Sequence, residues 1–107
     1  MWGSGKQKRP FLFVDDLVRA TLLLREHAVT GTEYVSPPET VEIRDLAIMI
    51  RDLIHPKLPL AFDTSKPEGP EEILLPTVHP LLQKMPWTLI QEGLERTRAA
   101  FLAEERL

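Results

Sequence analysis

The 107-residue sequence has no cysteine, which excludes disulfides and thiol catalysis and argues against a structural zinc site. Its three histidines, His27, His55 and His79, are widely spaced and form no His-x-x-x-His pair, so no metal is expected. No apolar run approaches the roughly 20 residues that span a bilayer. The N-terminus lacks the apolar stretch of a signal peptide, and the chain is read as cytoplasmic with no membrane partner. Internal repeats and low-complexity segments are absent.

What is present fits one small α+β domain over residues 1–107, large enough for a single core but marginal in the area it can bury. Charge is unevenly spread. Residues 1–25 carry five basic and two acidic side chains, a net of +3, and the remainder carries eight basic and fourteen acidic ones, a net of −6. A small basic end on an acidic body suits a local anion such as a phosphate group. It does not suit nucleic acid, which calls for a basic stripe over a whole face.

The basic end begins Trp2-Gly-Ser-Gly-Lys-Gln-Lys-Arg9. Gly3 and Gly5 let backbone amides approach an anion closely, with Lys6, Lys8 and Arg9 beside them. The run Gly3-Ser-Gly-Lys6 is not a phosphate-binding P-loop: Gln7 stands where serine or threonine is required, and no strand precedes it. Trp2 is either a base-stacking platform or exposed apolar surface suited to a partner. Asp15 and Asp16 precede an apolar helical run, so helix capping explains them better than a catalytic carboxylate pair.

Periodicity predicts about four helices and two or three short strands. Phe11–Val14 reads as a strand, followed by a helix to about His27, capped by Asp15 or Asp16, with Leu17, Ala20, Thr21 and Leu24 inward and Thr30-Gly31 as its stop. Glu33–Ser36 is a second strand, closed by Pro37-Pro38. A helix from Ile43 to about Leu53 starts at Thr40 or Glu42 and turns Leu46, Ala47, Ile50 and Ile54 to the core. Leu58–Phe62 is a third strand candidate, and residues 63–76 form a proline-rich loop. Thr77–Lys84 is a short helical turn. Thr88 and Gln91 form a capping box opening a last helix to about Glu105, with Ile90, Leu94, Thr97 and Phe101 on one face.

The run Trp2-Gly-Ser-Gly-x-x-x-Arg9-x-Phe11-x-x-Val14-Asp15-Asp16 resembles the C-terminal substrate region of the extended short-chain dehydrogenases. These are NAD(P)-dependent sugar-nucleotide epimerases and reductases, and the likeness is greatest to the GDP-fucose synthase branch. Ile43-Arg-Asp-Leu-Ala47, Phe62-Asp-Thr-Ser-Lys-Pro-Glu-Gly69 and Trp87 with Gln91-Glu-Gly-Leu94 and Thr97 extend the likeness in family order. The resemblance implies a site for a nucleoside diphosphate sugar. Trp2, Gly3, Ser4 and Gly5 would line its nucleotide end, Arg9 would reach the pyrophosphate, and Lys66 would lie near the substrate. Two departures weaken that site: Glu71 and Glu72 stand where the family has Arg-Lys, and Pro76 replaces its aspartate.

The family's Gly-x-x-Gly-x-x-Gly cofactor loop is nowhere in these residues, and the single tyrosine, Tyr34, has Pro38 rather than lysine four residues on. Neither a general acid/base nor a nicotinamide site is therefore expected. The chain reads as a truncated family member, catalytically inactive alone, binding no cofactor where the full-length family uses NADP or NAD. The alternative is a free-standing homo-oligomeric interaction module that no longer binds a sugar nucleotide. Its partner would be a second copy, as a homodimer, or a separate cofactor-domain chain.

Overall fold

A computed structural model describes residues 1–105. Among these residues the architecture is α+β. The helices are α1 (Val14–Glu26), α2 (Ile43–Ile54), α3 (Pro80–Gln83) and α4 (Ile90–Glu105), and β1 (Lys8–Arg9) pairs antiparallel with β2 (Val41–Glu42). Lys8 stands opposite Glu42 and Arg9 opposite Val41.

The strands are not where β-propensity pointed. Phe11–Val14 forms no ladder: Phe13 is extended (φ −74°, ψ 137°) but serves as the N-cap position of α1, and Val14 is already helical. Glu33–Ser36 and Leu58–Phe62 also remain outside any ladder. A strand needs a neighbour more than it needs β-branched residues. The neighbours here go to Lys8–Arg9, whose flank receives Ile43 N–H on Gln7 O (2.9 Å) and Arg44 N–H on Gly5 O (2.7 Å). A single parallel bridge, Trp2 with Asp63, lies just beyond the third expected strand.

Helix ends differ in informative ways. Neither Asp15 nor Asp16 caps α1; both lie in its first turn, where the helix dipole favours carboxylates. The helix stops before Thr30-Gly31. Ala28 adopts a left-handed φ of 54°, and Val29 N–H reaches back to Leu24 O at 3.0 Å, a glycine-type closure made by alanine. The inward face of α1 is Asp16, Ala20, Leu23 and Leu24, whereas Leu17 and Thr21 face solvent. Helix α2 follows its expected bounds closely, with Leu46 and Ala47 half-buried but Ile50 and Ile54 exposed. On α4, Ile90 and Leu94 are half-buried and Phe101 is exposed.

The capping box does not form. The Thr88 hydroxyl donates to Asp16 Oδ1 at 2.7 Å, and Gln91 donates to Glu95 at 3.3 Å. The threonine hydroxyl is drawn away because Asp16, only 1% exposed, needs donors in the interior. Thr88 N–H supplies a second donor to Asp16 Oδ2 at 2.8 Å, and Arg19 Nη1 stands 3.8 Å from Oδ1. Around this joint Phe13 packs on Gly93, and Arg96 lies 4.9 Å over the Phe13 ring while pairing with Asp15 at 2.7 Å.

Among the described residues the buried apolar core is small. Ala20, Leu82 and Met85 form it, flanked by Leu23, Leu24, Val35, Val78 and Trp87. The molecule is a slab of 48 × 40 × 19 Å with a radius of gyration of 16.5 Å. A compact domain of this length has a radius near ~13 Å. Many large apolar side chains, among them Val18, Leu22, Ile54 and Phe101, stay more than half exposed.

Asp16→Ala leaves two donors of Thr88 unsatisfied in the interior, so it is expected to cost about 2–4 kcal/mol. Asp15→Ala breaks only a half-exposed ion pair and is expected to cost about 0–1 kcal/mol. Urea midpoints of the two variants test the contrast, and equal losses would show that the buried joint is not special.

Candidate functional site

The opening segment is pinned along both edges. On one side Met1 donates to Ala61 O (2.8 Å), Asp63 N–H to Met1 O (2.6 Å) and Gly3 N–H to Asp63 O (2.8 Å). Farther along, Lys8 N–H reaches Glu71 O at 2.6 Å, while residues 5–9 hold the start of α2 on the other side. The polar loop of residues 63–72 thus lies as a strap along Met1–Arg9, attached at both of its ends.

Every residue that the sequence pattern nominated for a site touches this strap or lies beside it. The Trp2 ring is 64% exposed and carries the Lys66 ammonium 5.8 Å from its centroid. Gly3 and Gly5 have φ of 79° and 77°, a backbone region open to glycine. Between them Ser4 gives its N–H to Glu68 Oε2 at 2.6 Å, and its hydroxyl lies 3.2 and 3.4 Å from the two carboxylate oxygens. Arg9 donates through Nη1 to Lys8 O (2.7 Å) and through Nη2 to Pro70 O (2.9 Å). Its guanidinium is therefore committed to backbone carbonyls rather than aimed freely at solvent.

Glu71 contributes its carbonyl to Lys8, and Glu72 forms an exposed ion pair with the Lys8 ammonium at 3.3 Å. Glu68 is the residue that sequence reasoning passed over. Its place between Lys66-Pro67 and Gly69 was legible, but only folding sets its carboxylate on Ser4, 64 positions earlier.

The larger clefts lie elsewhere. One of about 230 Å³ is bounded by Phe11, Pro37, Thr40, Trp87 and Ile90, and another of about 300 Å³ by Phe13, Leu46, Ile50, Leu89 and Leu94. Both are apolar gaps beside α4 and include none of the nominated residues, which form an open surface. Among the described residues, no group of three or more His, Cys, Asp or Glu side chains could hold a metal ion, and no helix is long and apolar enough to cross a membrane.

Comparison with known proteins places this geometry in context. Residues 1–38 match the NAD dependent epimerase/dehydratase family. The chain is 33% identical over 102 residues to the "Probable GDP-L-fucose synthase 1" of Oryza sativa subsp. japonica, covering 91% of this chain and 30% of that protein. It is 32% identical over 108 residues to the GDP-L-fucose synthase of Sinorhizobium fredii, covering 96% and 33%. A dTDP-4-dehydro-6-deoxy-D-allose reductase of Streptomyces sp is 37% identical over 75 residues, covering 70% and 23%. The chain spans about a third of the length of the first two of these relatives.

A Cβ on Gly3 would sit inside the Glu68 side chain, and one on Gly5 would lie 2.8 Å from both Arg44 Cβ and Phe62 Cε1. Gly31, at φ 91°, has open space around it. Gly3→Ala and Gly5→Ala are therefore expected to cost about 2–3 kcal/mol, against about 1 kcal/mol for Gly31→Ala. Denaturation midpoints measure the costs, and faster amide exchange over Lys66–Glu72 in the first two variants alone would report the loosened strap.

Proposed function

We propose that this chain is the nucleoside diphosphate sugar-binding portion of an epimerase/reductase, a reading supported by the match of residues 1–38 to the NAD dependent epimerase/dehydratase family and by the similarity of most of the chain to part of GDP-L-fucose synthases. The observation that carries the reading is the Trp2–Gly5 turn. An exposed aromatic ring with an ammonium over it adjoins a serine N–H and hydroxyl that already hold an anionic group. Ring, cation and small-residue turn are the three elements that recognise a base and a phosphate. Arg9 lies at the other end of the same strap, and release from Pro70 O would free a planar two-pronged donor for a diphosphate.

Within these 107 residues there is no glycine fingerprint and no Tyr-x-x-x-Lys pair. Binding, rather than redox chemistry, is the activity proposed for them in isolation. NADP or NAD would be held by residues other than these, and a cytoplasmic setting fits the cysteine-free composition. Isothermal titration with GDP- and UDP-sugars should give measurable heat at millimolar ligand or below, and Arg9→Ala should weaken it about tenfold. No heat from either sugar nucleotide would overturn the reading.

The slab shape favours a second reading, an association module. The chain exposes 7987 Å², where a compact globular chain of this mass exposes roughly 6,000 Å². The excess of roughly 2,000 Å² is more than the roughly 800 Å² that each partner buries in a standard protein interface. It includes Val18, Leu22 and Ile54, each more than half exposed. A homodimer or a separate cofactor-domain chain would supply that cover. Sedimentation should therefore show a dimer at tens of micromolar, and a monomer under those conditions would remove the homodimeric form of this reading.

A further inference from the structure

The Ser4 turn is occupied by a group from the same chain. Glu68 presents both carboxylate oxygens to it, Oε2 on the N–H at 2.6 Å and on the hydroxyl at 3.2 Å, with Oε1 3.4 Å from the hydroxyl. Two oxygens of one anion on an N–H and an O–H are the contacts a phosphate group would make at such a turn. We propose that the Gly3-Ser4-Gly5 turn is a phosphate site held closed by the chain's own Glu68, which must leave before a phosphate can enter. The proposal rests on the sugar-nucleotide reading above and adds to it an internal competitor.

The surroundings make this exchange physically reasonable. The strap is fastened at its Asp63 end to Met1 and Gly3 and at its Pro70–Glu72 end to Arg9 and Lys8. Between those fastenings every residue is exposed, so lifting Glu68 uncovers little apolar surface. Segments with few buried apolar contacts open at the low end of the stability range. Lys66 belongs to the same stretch, and its ammonium already stands over Trp2. Removing Glu68 from Ser4 would therefore free the Ser4 N–H and hydroxyl, with the Lys66 ammonium standing over the ring of the neighbouring Trp2. A site that is open only part of the time binds with an affinity reduced by its open fraction.

The test is a set of titrations on the 107-residue chain with orthophosphate, pyrophosphate and GDP, read by calorimetry and by the Ser4 amide resonance. Glu68→Gln removes the competing charge at the turn. Glu72→Gln removes the same charge from the Lys8 pair and serves as the charge-matched control. Expected is an affinity for pyrophosphate about tenfold higher in E68Q than in the unsubstituted chain, a change below about twofold in E72Q, and a Ser4 resonance that moves on titration. Similar gains in the two variants, no gain in E68Q, or a Ser4 resonance indifferent to all three ligands would overturn the closure. The GDP and orthophosphate arms separate a nucleotide site from a generic phosphate site. If GDP-sugars bind in an Arg9-dependent way while E68Q changes nothing, the closure fails and the sugar-nucleotide reading stands. If pyrophosphate binds E68Q more tightly while sugar nucleotides bind neither protein, the opposite holds.

Discussion

The structure depends on a buried carboxylate, the only one among the described residues. Asp16 is 1% exposed and takes both the N–H and the hydroxyl of Thr88, 72 positions away. A charge in that position is costly unless donors reach it, and the donors it has fasten the first turn of α1 to the turn that opens α4. Among the described residues the buried apolar ones, Ala20, Leu82 and Met85, lie on α1 and at the α3 turn. With so little apolar core, directional bonds set the arrangement that packing would otherwise set.

A second set of directional bonds organises the candidate site. The opening segment takes backbone partners from 61–63 and 71 on one side and from 41–44 on the other. Two left-handed glycines make room for that close approach, at Gly3 against Glu68 and at Gly5 against Arg44 and Phe62. The basic charge of the first residues is thereby divided. Lys8 pairs with Glu72, Arg9 with backbone carbonyls, and Lys66 comes from the strap to stand over Trp2. The same contacts that hold the loop in place also occupy the groups proposed to bind a ligand.

Much of the helical content was legible because each helix carries its own periodicity. Ile43–Ile54 repeats apolar residues at helical spacing, and Pro80 at the start of α3 is compatible with a first turn. The strands were not legible. Phe11–Val14 has the right residue types, yet pairing went to Lys8–Arg9, which do not. Thr88 and Gln91 have capping-box spacing, but a partner from another helix outcompeted the local bond. Of the site, the Trp2–Arg9 turn and Lys66 could be named from the motif, whereas Glu68 needed the strap to be folded back.

The sequence by itself determined the α+β class, the helix positions, the absence of cysteine from these residues and the similarity to part of GDP-L-fucose synthases. Each of these is encoded in residue type and short-range spacing. Only the tertiary structure decided which segments pair as strands, which face of α1 turns inward, and which anion sits on Ser4. Those outcomes are set by partners more than 30 positions away in the chain. Competition among distant partners has no signature in local spacing.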